Sequence, residues 1–211
     1  MVRVLCFDIG GVLIRITPLW SEAARVAGIE LPSRFEAHTE LDSAPFFPAY
    51  QRGEISHEDF YEQLRDFLGL ATTLEAERVH RHILVEPYPE VEAMIRDFND
   101  AGYSTACLSN TNEPHWREMS ESGRFPAHLA LGHRFASHEM GLLKPQPEIF
   151  QAFEKAMGVT GNEVAFFDDS TMNVEAAKAL GWHAFRIDPA RNTVPQVKTY
   201  LESVVGKSER L

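Results

Sequence analysis

Cysteine is nearly absent: Cys6 and Cys107 are the only two in 211 residues. So few thiols do not make a disulfide framework, and both read as small buried hydrophobes within strands. Basic charge is also short, with 20 Lys and Arg against 31 Asp and Glu, a net charge of −11. That balance, with no basic run, argues against nucleic acid or an anionic membrane surface as a partner. No apolar stretch approaches the ~20 residues needed to span a bilayer. The nine histidines form neither an HExxH motif nor a zinc-type Cys/His spacing. His80 and His82 flank Arg81 in a helix-like segment and read as surface residues. The first strand-like run starts at residue 2 and leaves no room for a targeting peptide, so a cytoplasmic protein is expected.

With 44% hydrophobic residues, the chain can bury a large core. Val2 to Phe7 has the length and composition of a buried strand. It runs into Phe7-Asp8-Ile9-Gly10-Gly11, where two glycines permit a sharp turn and a close approach to a ligand. In open α/β sheets the ligand crevice lies beyond the carboxyl ends of the strands, which is where Asp8 would sit. Alone, Asp8 could equally cap a strand-to-helix turn.

From about residue 17 to 86 the pattern is helical. Ser56-His57-Glu58-Asp59 is a start signal before Phe60, Leu64, Phe67 and Leu68, and Gly69 is a stop. No strand is expected in this stretch. It reads as a small helical insert, with 1–16 and 87–211 forming the core. After Pro87 and Pro89, helix and strand alternate, with strands near 103, 134, 164 and 184. Alternation of this kind implies a parallel sheet covered by helices on both faces, a doubly wound α/β fold.

Three strand ends carry polar groups: Asp8, Ser109-Asn110 and Asp168-Asp169. Lys144-Pro145 sits in a loop between the last two. Each piece alone has a plain reading as a helix cap or a surface lysine. Together, carboxylates from separate strands would repel unless a cation joined them. An all-oxygen site of this kind suits Mg²⁺ with a substrate phosphate. The order expected is 3-2-1-4-5, in which Asp8 neighbours both other strand ends. The carboxylates of Asp8 and Asp169 should then lie within about 8 Å, because Mg²⁺–oxygen bonds are ~2.1 Å.

The ordered series Phe7-Asp8-Ile9-Gly10-Gly11-Val12, Leu108-Ser109-Asn110-Thr111, Lys144-Pro145 and Phe167-Asp168-Asp169 resembles the haloacid dehalogenase (HAD) superfamily. Members with a helical cap inserted after the first strand are the closest match. Arg52-Gly53-Glu54-Ile55-Ser56 and Ser109-Asn110-Thr111-Asn112 are similar to the subgroup containing bacterial α-glucose-1-phosphate phosphatases. The resemblance implies that Asp8 is the nucleophile, forming an aspartyl-phosphate, and also a metal ligand. It implies Mg²⁺ held by Asp8, the Gly10 carbonyl and Asp169, with Asp168 beside them acting mainly through water. Asn173 stands where many members place a further acid. Ser109 and the amide of Asn110 would bind the phosphoryl oxygens, and Lys144 would balance charge.

One position departs from the pattern. Most phosphatases of this family carry a second Asp two residues after the nucleophile as general acid and base; here it is Gly10. Three readings follow: a Mg²⁺-dependent phosphomonoesterase acting on a small phosphorylated metabolite, such as a sugar phosphate; a metal-free haloacid dehalogenase; or a weakly active binding protein. The Asp168-Asp169 pair disfavours the second. If another residue replaces the missing acid, His57 of the insert or His115 of a loop is the first candidate. In the insert, Phe46 to Tyr50 and Arg52 are the first place to seek substrate selection, although Tyr50, Arg52 and His57 each also read as packing or solvent-facing residues.

Overall fold

The computed structural model describes residues 1–35 and 40–205. Strand β1 (Val4–Phe7) is buried at every position. Leu5 and Phe7 enter one apolar layer, Val4 and Cys6 the layer on the opposite face. A strand covered on both faces needs apolar residues throughout, which explains the unbroken run. The chain then passes through a tight turn into β2 (Ile14–Ile16) and leaves the sheet.

Among the described residues four α-helices follow: α1 (Trp20–Val26), α2 (Phe47–Gln51), α3 (His57–Leu68) and α4 (Thr73–Arg81). They bury a separate cluster that includes Trp20, Phe47, Phe60, Leu64 and Val79. Helix α3 has its expected ends. The Ser56 hydroxyl accepts the Asp59 N–H, and Gly69 terminates it in the left-handed conformation at φ 69°. The chain returns through β3 (Leu84–Pro87), which pairs antiparallel with β2.

Two expectations fail here. A strand, β3, occupies residues within the stretch expected to hold none. It is short, shows no period-2 pattern, and finds its partner only across the whole insert. His80, read as a surface residue, is completely buried on α4, while His82 is half-buried. Its neighbours come from outside its own helix, so helical spacing could not reveal them.

From here helix and strand alternate. Helix α5 (Val91–Asp100) leads to β4 (Ser104–Ser109). Helices α6 (Glu113–Glu121) and α7 (Pro126–Ala130) lead to β5 (His133–Ala136). Helices α8 (Ser137–Met140) and α9 (Pro147–Met157) precede β6 (Val164–Asp168). Helix α10 (Thr171–Ala179), β7 (His183–Arg186) and α11 (Thr193–Val205) complete the order. His115, expected in a loop, lies in the first turn of α6.

The main sheet is parallel, in the order β5-β4-β1-β6-β7, which is the 3-2-1-4-5 arrangement expected for the five core strands. Helices α5 and α11 cover the Leu5/Phe7 face; α9 and α10 cover the other. Phe7 aligns with Cys107 on one side and Phe167 on the other, and β4 and β6 run on to Ser109 and Asp168 beyond it. Cys6 and Cys107 are both free and buried. No helix among the described residues is long and apolar enough to cross a membrane.

The Ser56 cap is local enough to test alone. Ser56→Ala should lower stability by about 1 kcal/mol in chemical denaturation with an unchanged m-value. An unmoved midpoint would show that the cap contributes nothing.

Candidate active site

Because β1 lies between β4 and β6, their ends bring the expected residues together. The Asp8 N–H still bonds the Phe167 carbonyl at 2.8 Å, so Asp8 leaves the sheet as its last paired residue. Its Oδ1 accepts the Ile9 N–H at 2.7 Å. The turn beyond closes tightly: the Ile9 carbonyl faces the N–H groups of Val12, Leu13 and Ile14. Gly11 adopts φ 71°, and a Cβ there would collide with the Asp169 carboxylate, so glycine is required twice over.

The Lys144 ammonium is fully buried, 2.7 Å from Asp168 and 3.1 Å from Asp8. Its backbone is gripped by Asn110, whose side chain donates to the Lys144 carbonyl at 2.8 Å and accepts its N–H at 2.9 Å. This tie between the β4 end and the lysine loop was not legible in the sequence. Asp168 is also fully buried and accepts further bonds from the Asn173 side chain and the Ser170 N–H. Asn173 thus supports an acid instead of adding one. Ser109 is buried at the end of β4, and its hydroxyl has no partner among the described residues. Ser137 ties the following loop: its hydroxyl accepts the Thr111 N–H at 2.8 Å and faces the Gln51 carbonyl at 2.6 Å.

Asp8, Asp168 and Asp169 offer one ligand oxygen each within 4.8 Å of one another, well inside the expected separation. One ammonium faces three carboxylates, which leaves an excess of negative charge. Burial pushes the Asp8 carboxyl up to about 7; Lys144 opposes this, while Asp168 and Asp169 add to it. Burial and Asp168 push Asp169 up to about 6. Burial pulls the Lys144 ammonium down, but Asp168 and Asp8 outweigh it and hold its pKa above the usual lysine value. A compact all-oxygen donor set with uncompensated charge fits a hard divalent cation such as Mg²⁺.

A cavity of about 470 Å³ opens beside this cluster, lined by Gly10, Ile16, Phe47, Ser109, Asn110 and Met119 among others. Neither Tyr50 nor Arg52 lines it. Tyr50 stacks on Phe60 at 3.7 Å inside the insert, and Arg52 pairs with Glu54 at 2.7 Å. A larger cleft of about 660 Å³ lies elsewhere, around His57, Tyr61 and Arg81, and includes none of the strand-end residues. Volume alone therefore does not mark the site.

A buried polar bridge joins insert and core beside the cavity. Asn112 caps α6 through its Oδ1, which accepts the His115 N–H at 3.2 Å. Its amide nitrogen must then face His80 Nε2 (3.2 Å) and His115 Nδ1 (3.4 Å), making both ring nitrogens acceptors. His115 Nε2 carries a proton, donated to the His80 carbonyl at 2.9 Å. Both imidazoles are neutral: burial lowers His115 to about 4, and burial with His115 alongside drives His80 well down. Of the two histidines expected to replace the missing acid, His115 lines the cavity while bonded within this bridge, and His57 lies between Tyr50 and Glu113 on the outer cleft. Asn112 two residues before Pro114 was a visible cap signal, but its histidine partners were not.

The family model for haloacid dehalogenase-like hydrolases matches residues 2–181. This chain belongs to that family. The D-ribitol-5-phosphate phosphatase of Bacteroides thetaiotaomicron is 29% identical over 197 residues, spanning 88% of this chain and 92% of the relative. A HAD-like family hydrolase from Porphyromonas gingivalis superposes with a TM-score of 0.78 at 28% identity, covering 95% of this chain and 98% of the other. A HAD family enzyme from B. thetaiotaomicron, crystallised with magnesium and inorganic phosphate, shares the fold. Its TM-score is 0.74 at 23% identity, with 90% of this chain and 96% of that one covered.

The electrostatics of this HAD hydrolase give a pH test. Between 3.8 and about 7 the folded protein keeps a proton on Asp8 that the unfolded chain has lost. Rising pH therefore removes stability through this group in the metal-free protein. A bound divalent cation offsets that loss, so saturating Mg²⁺ should raise the Tm more at pH 8 than at pH 5. Equal gains at both pH values would show that the cation binds elsewhere.

Proposed function

We propose that the protein is a Mg²⁺-dependent phosphomonoester hydrolase that acts on a small phosphorylated metabolite through an aspartyl-phosphate at Asp8. The observation that carries this reading is the convergence of Asp8, Asp168 and Asp169, from the ends of the adjacent strands β1 and β6, around one buried loop lysine. In it, Asp8 attacks phosphorus, the bond to the ester oxygen breaks and releases the alcohol, and water then hydrolyses the aspartyl-phosphate to free phosphate and Asp8. The Ser109 hydroxyl and the Asn110 N–H hold the phosphoryl oxygens, and Lys144 offsets their charge. Asp8, Asp169 and the Gly10 carbonyl would hold Mg²⁺, which supplies charge neutralisation between nucleophile and phosphate. Asp168, already bonded by Lys144, Asn173 and Ser170, orients the lysine and would support the metal site indirectly. Residues 17–86 serve as the cap over a core of 1–16 and 87–211.

A dehalogenase reading leaves Asp169 and its uncompensated charge without use. The weakly active binding protein keeps its one motive in Gly10. Turnover of an aryl phosphate with and without Mg²⁺ separates the three readings: metal-dependent release of phosphate supports the first alone.

Gly10 sets a chemical limit on that first reading. Its φ lies outside the left-handed range, so the backbone would accept aspartate; the obstacle is Ile16, whose Cδ1 would sit 3.2 Å from a new Cβ. The ribitol-5-phosphate phosphatase relative is named for a primary ester, a poor leaving group that benefits from protonation. Without an acid at position 10, esters with better leaving groups, aryl or anomeric, should be preferred.

Two experiments test these roles. Asp8→Asn should abolish turnover while leaving the fold intact, whereas Asp169→Asn should chiefly raise the Mg²⁺ concentration needed for half-maximal rate. Wild-type turnover by Asp8→Asn would falsify the covalent mechanism. Wild type should hydrolyse glucose 1-phosphate faster than glucose 6-phosphate. Gly10→Asp combined with Ile16→Ala should narrow that gap, since general acid help is typically worth ~10²–10⁴-fold. A wild type that handles both esters equally has another proton donor.

A further inference from the structure

The cavity beside Gly10 and Ser109 is where the leaving group of a phosphomonoester would lie, and its lining is one-sided in charge. Ile16, Leu19, Phe47 and Met119 make apolar walls. The charged residues among the described lining are Glu40 and Asp42, and no Lys or Arg is among them. Both acids are exposed at the cavity rim, yet their backbone is fixed. Glu40 forms a β-bridge with Leu19, the Leu41 N–H bonds the Pro18 carbonyl at 3.2 Å, and the Trp20 indole donates to the Leu41 carbonyl at 3.2 Å. The segment 40–42 is thus pinned to the start of α1 and shares the cavity lining with Gly10, Ser109 and Asn110.

This lining has a direct consequence for substrate choice. The phosphate of a substrate would meet Lys144 and the cation the carboxylates would hold; a second anionic group further along would find no Lys or Arg, only two carboxylates, neutral polar side chains such as Gln51 and Thr111, and apolar walls. Like charge and desolvation both oppose it. Hydroxyl groups meet the reverse situation, because ionised carboxylates are hydrogen-bond acceptors. We propose that this cavity selects phosphomonoesters of neutral, hydroxylated alcohols and rejects esters carrying a second anionic group, with Glu40 and Asp42 as the specificity-determining residues. The proposal rests on the phosphatase reading above.

Glycerol 1-phosphate and 3-phosphoglycerate make a matched pair. Both are primary esters of similar length, and they differ at the far carbon, hydroxymethyl against carboxylate. Each is measured as a competitive inhibitor of aryl phosphate hydrolysis in Mg²⁺, and by kcat/KM where it is turned over. Wild type should favour the glycerol ester by about tenfold or more, and added salt should shrink the gap as it screens the rim. The Glu40→Gln/Asp42→Asn double variant should bring the two esters within about twofold, chiefly by improving phosphoglycerate. Equal treatment of the pair by wild type, or an unchanged gap in the double variant, overturns the proposal alone. Absence of any Mg²⁺-dependent aryl phosphate hydrolysis overturns the phosphatase reading and this proposal with it.

Discussion

A lysine ammonium without solvent access, held between Asp8 and Asp168, is the interaction on which the site depends. Removing these three charges from water costs several kcal/mol each, which only close geometry and further hydrogen bonds can offset. The fold supplies both. Asn110 grips the lysine backbone from the neighbouring strand end, and Asn173 and Ser170 complete the bonding of Asp168. The ion pair therefore fixes the relative positions of β1, β4, β6 and the lysine loop at their carboxyl ends. It leaves Asp8 and Asp169 with spare negative charge, directed toward whatever cation and phosphate the site receives.

The second constraint runs between insert and core. Asn112, His80 and His115 form a buried bridge whose hydrogen-bond pattern admits one neutral tautomer at each ring. Ser137 adds a parallel tie from the loop after Ser109 to the Gln51 carbonyl. The residues expected to touch phosphate are consequently positioned by contacts from both sides, and the cavity between insert and core has defined walls.

Much of this was legible in the sequence because the motif residues sit at strand ends. A strand end is marked locally, by an apolar run that stops at a polar residue or a glycine. The central strand order followed from one requirement, that Asp8 neighbour both Ser109 and Asp169. What the sequence hid depends on pairing at long range. β3 is recognisable only beside β2, and His80 reads as a surface residue until Asn112 and His115 are placed against it. Ile16 shows no sign in the sequence that it stands where a side chain at position 10 would go. Glu40 and Asp42 look like ordinary loop acids until the cavity gives them something to face.

Gly11 carries one consequence beyond its own backbone. It has no functional group and bonds no ligand through a side chain, yet the space above its Cα is already filled by the Asp169 carboxylate. Any replacement there must displace that acid before it disturbs anything else. In a saturation scan, position 11 would score like a ligand of the site, and a loss of metal response mapped to it would report on Asp169. Two residues far apart in the chain thus behave as a single mutational unit, and the one without chemistry of its own tolerates the fewest replacements.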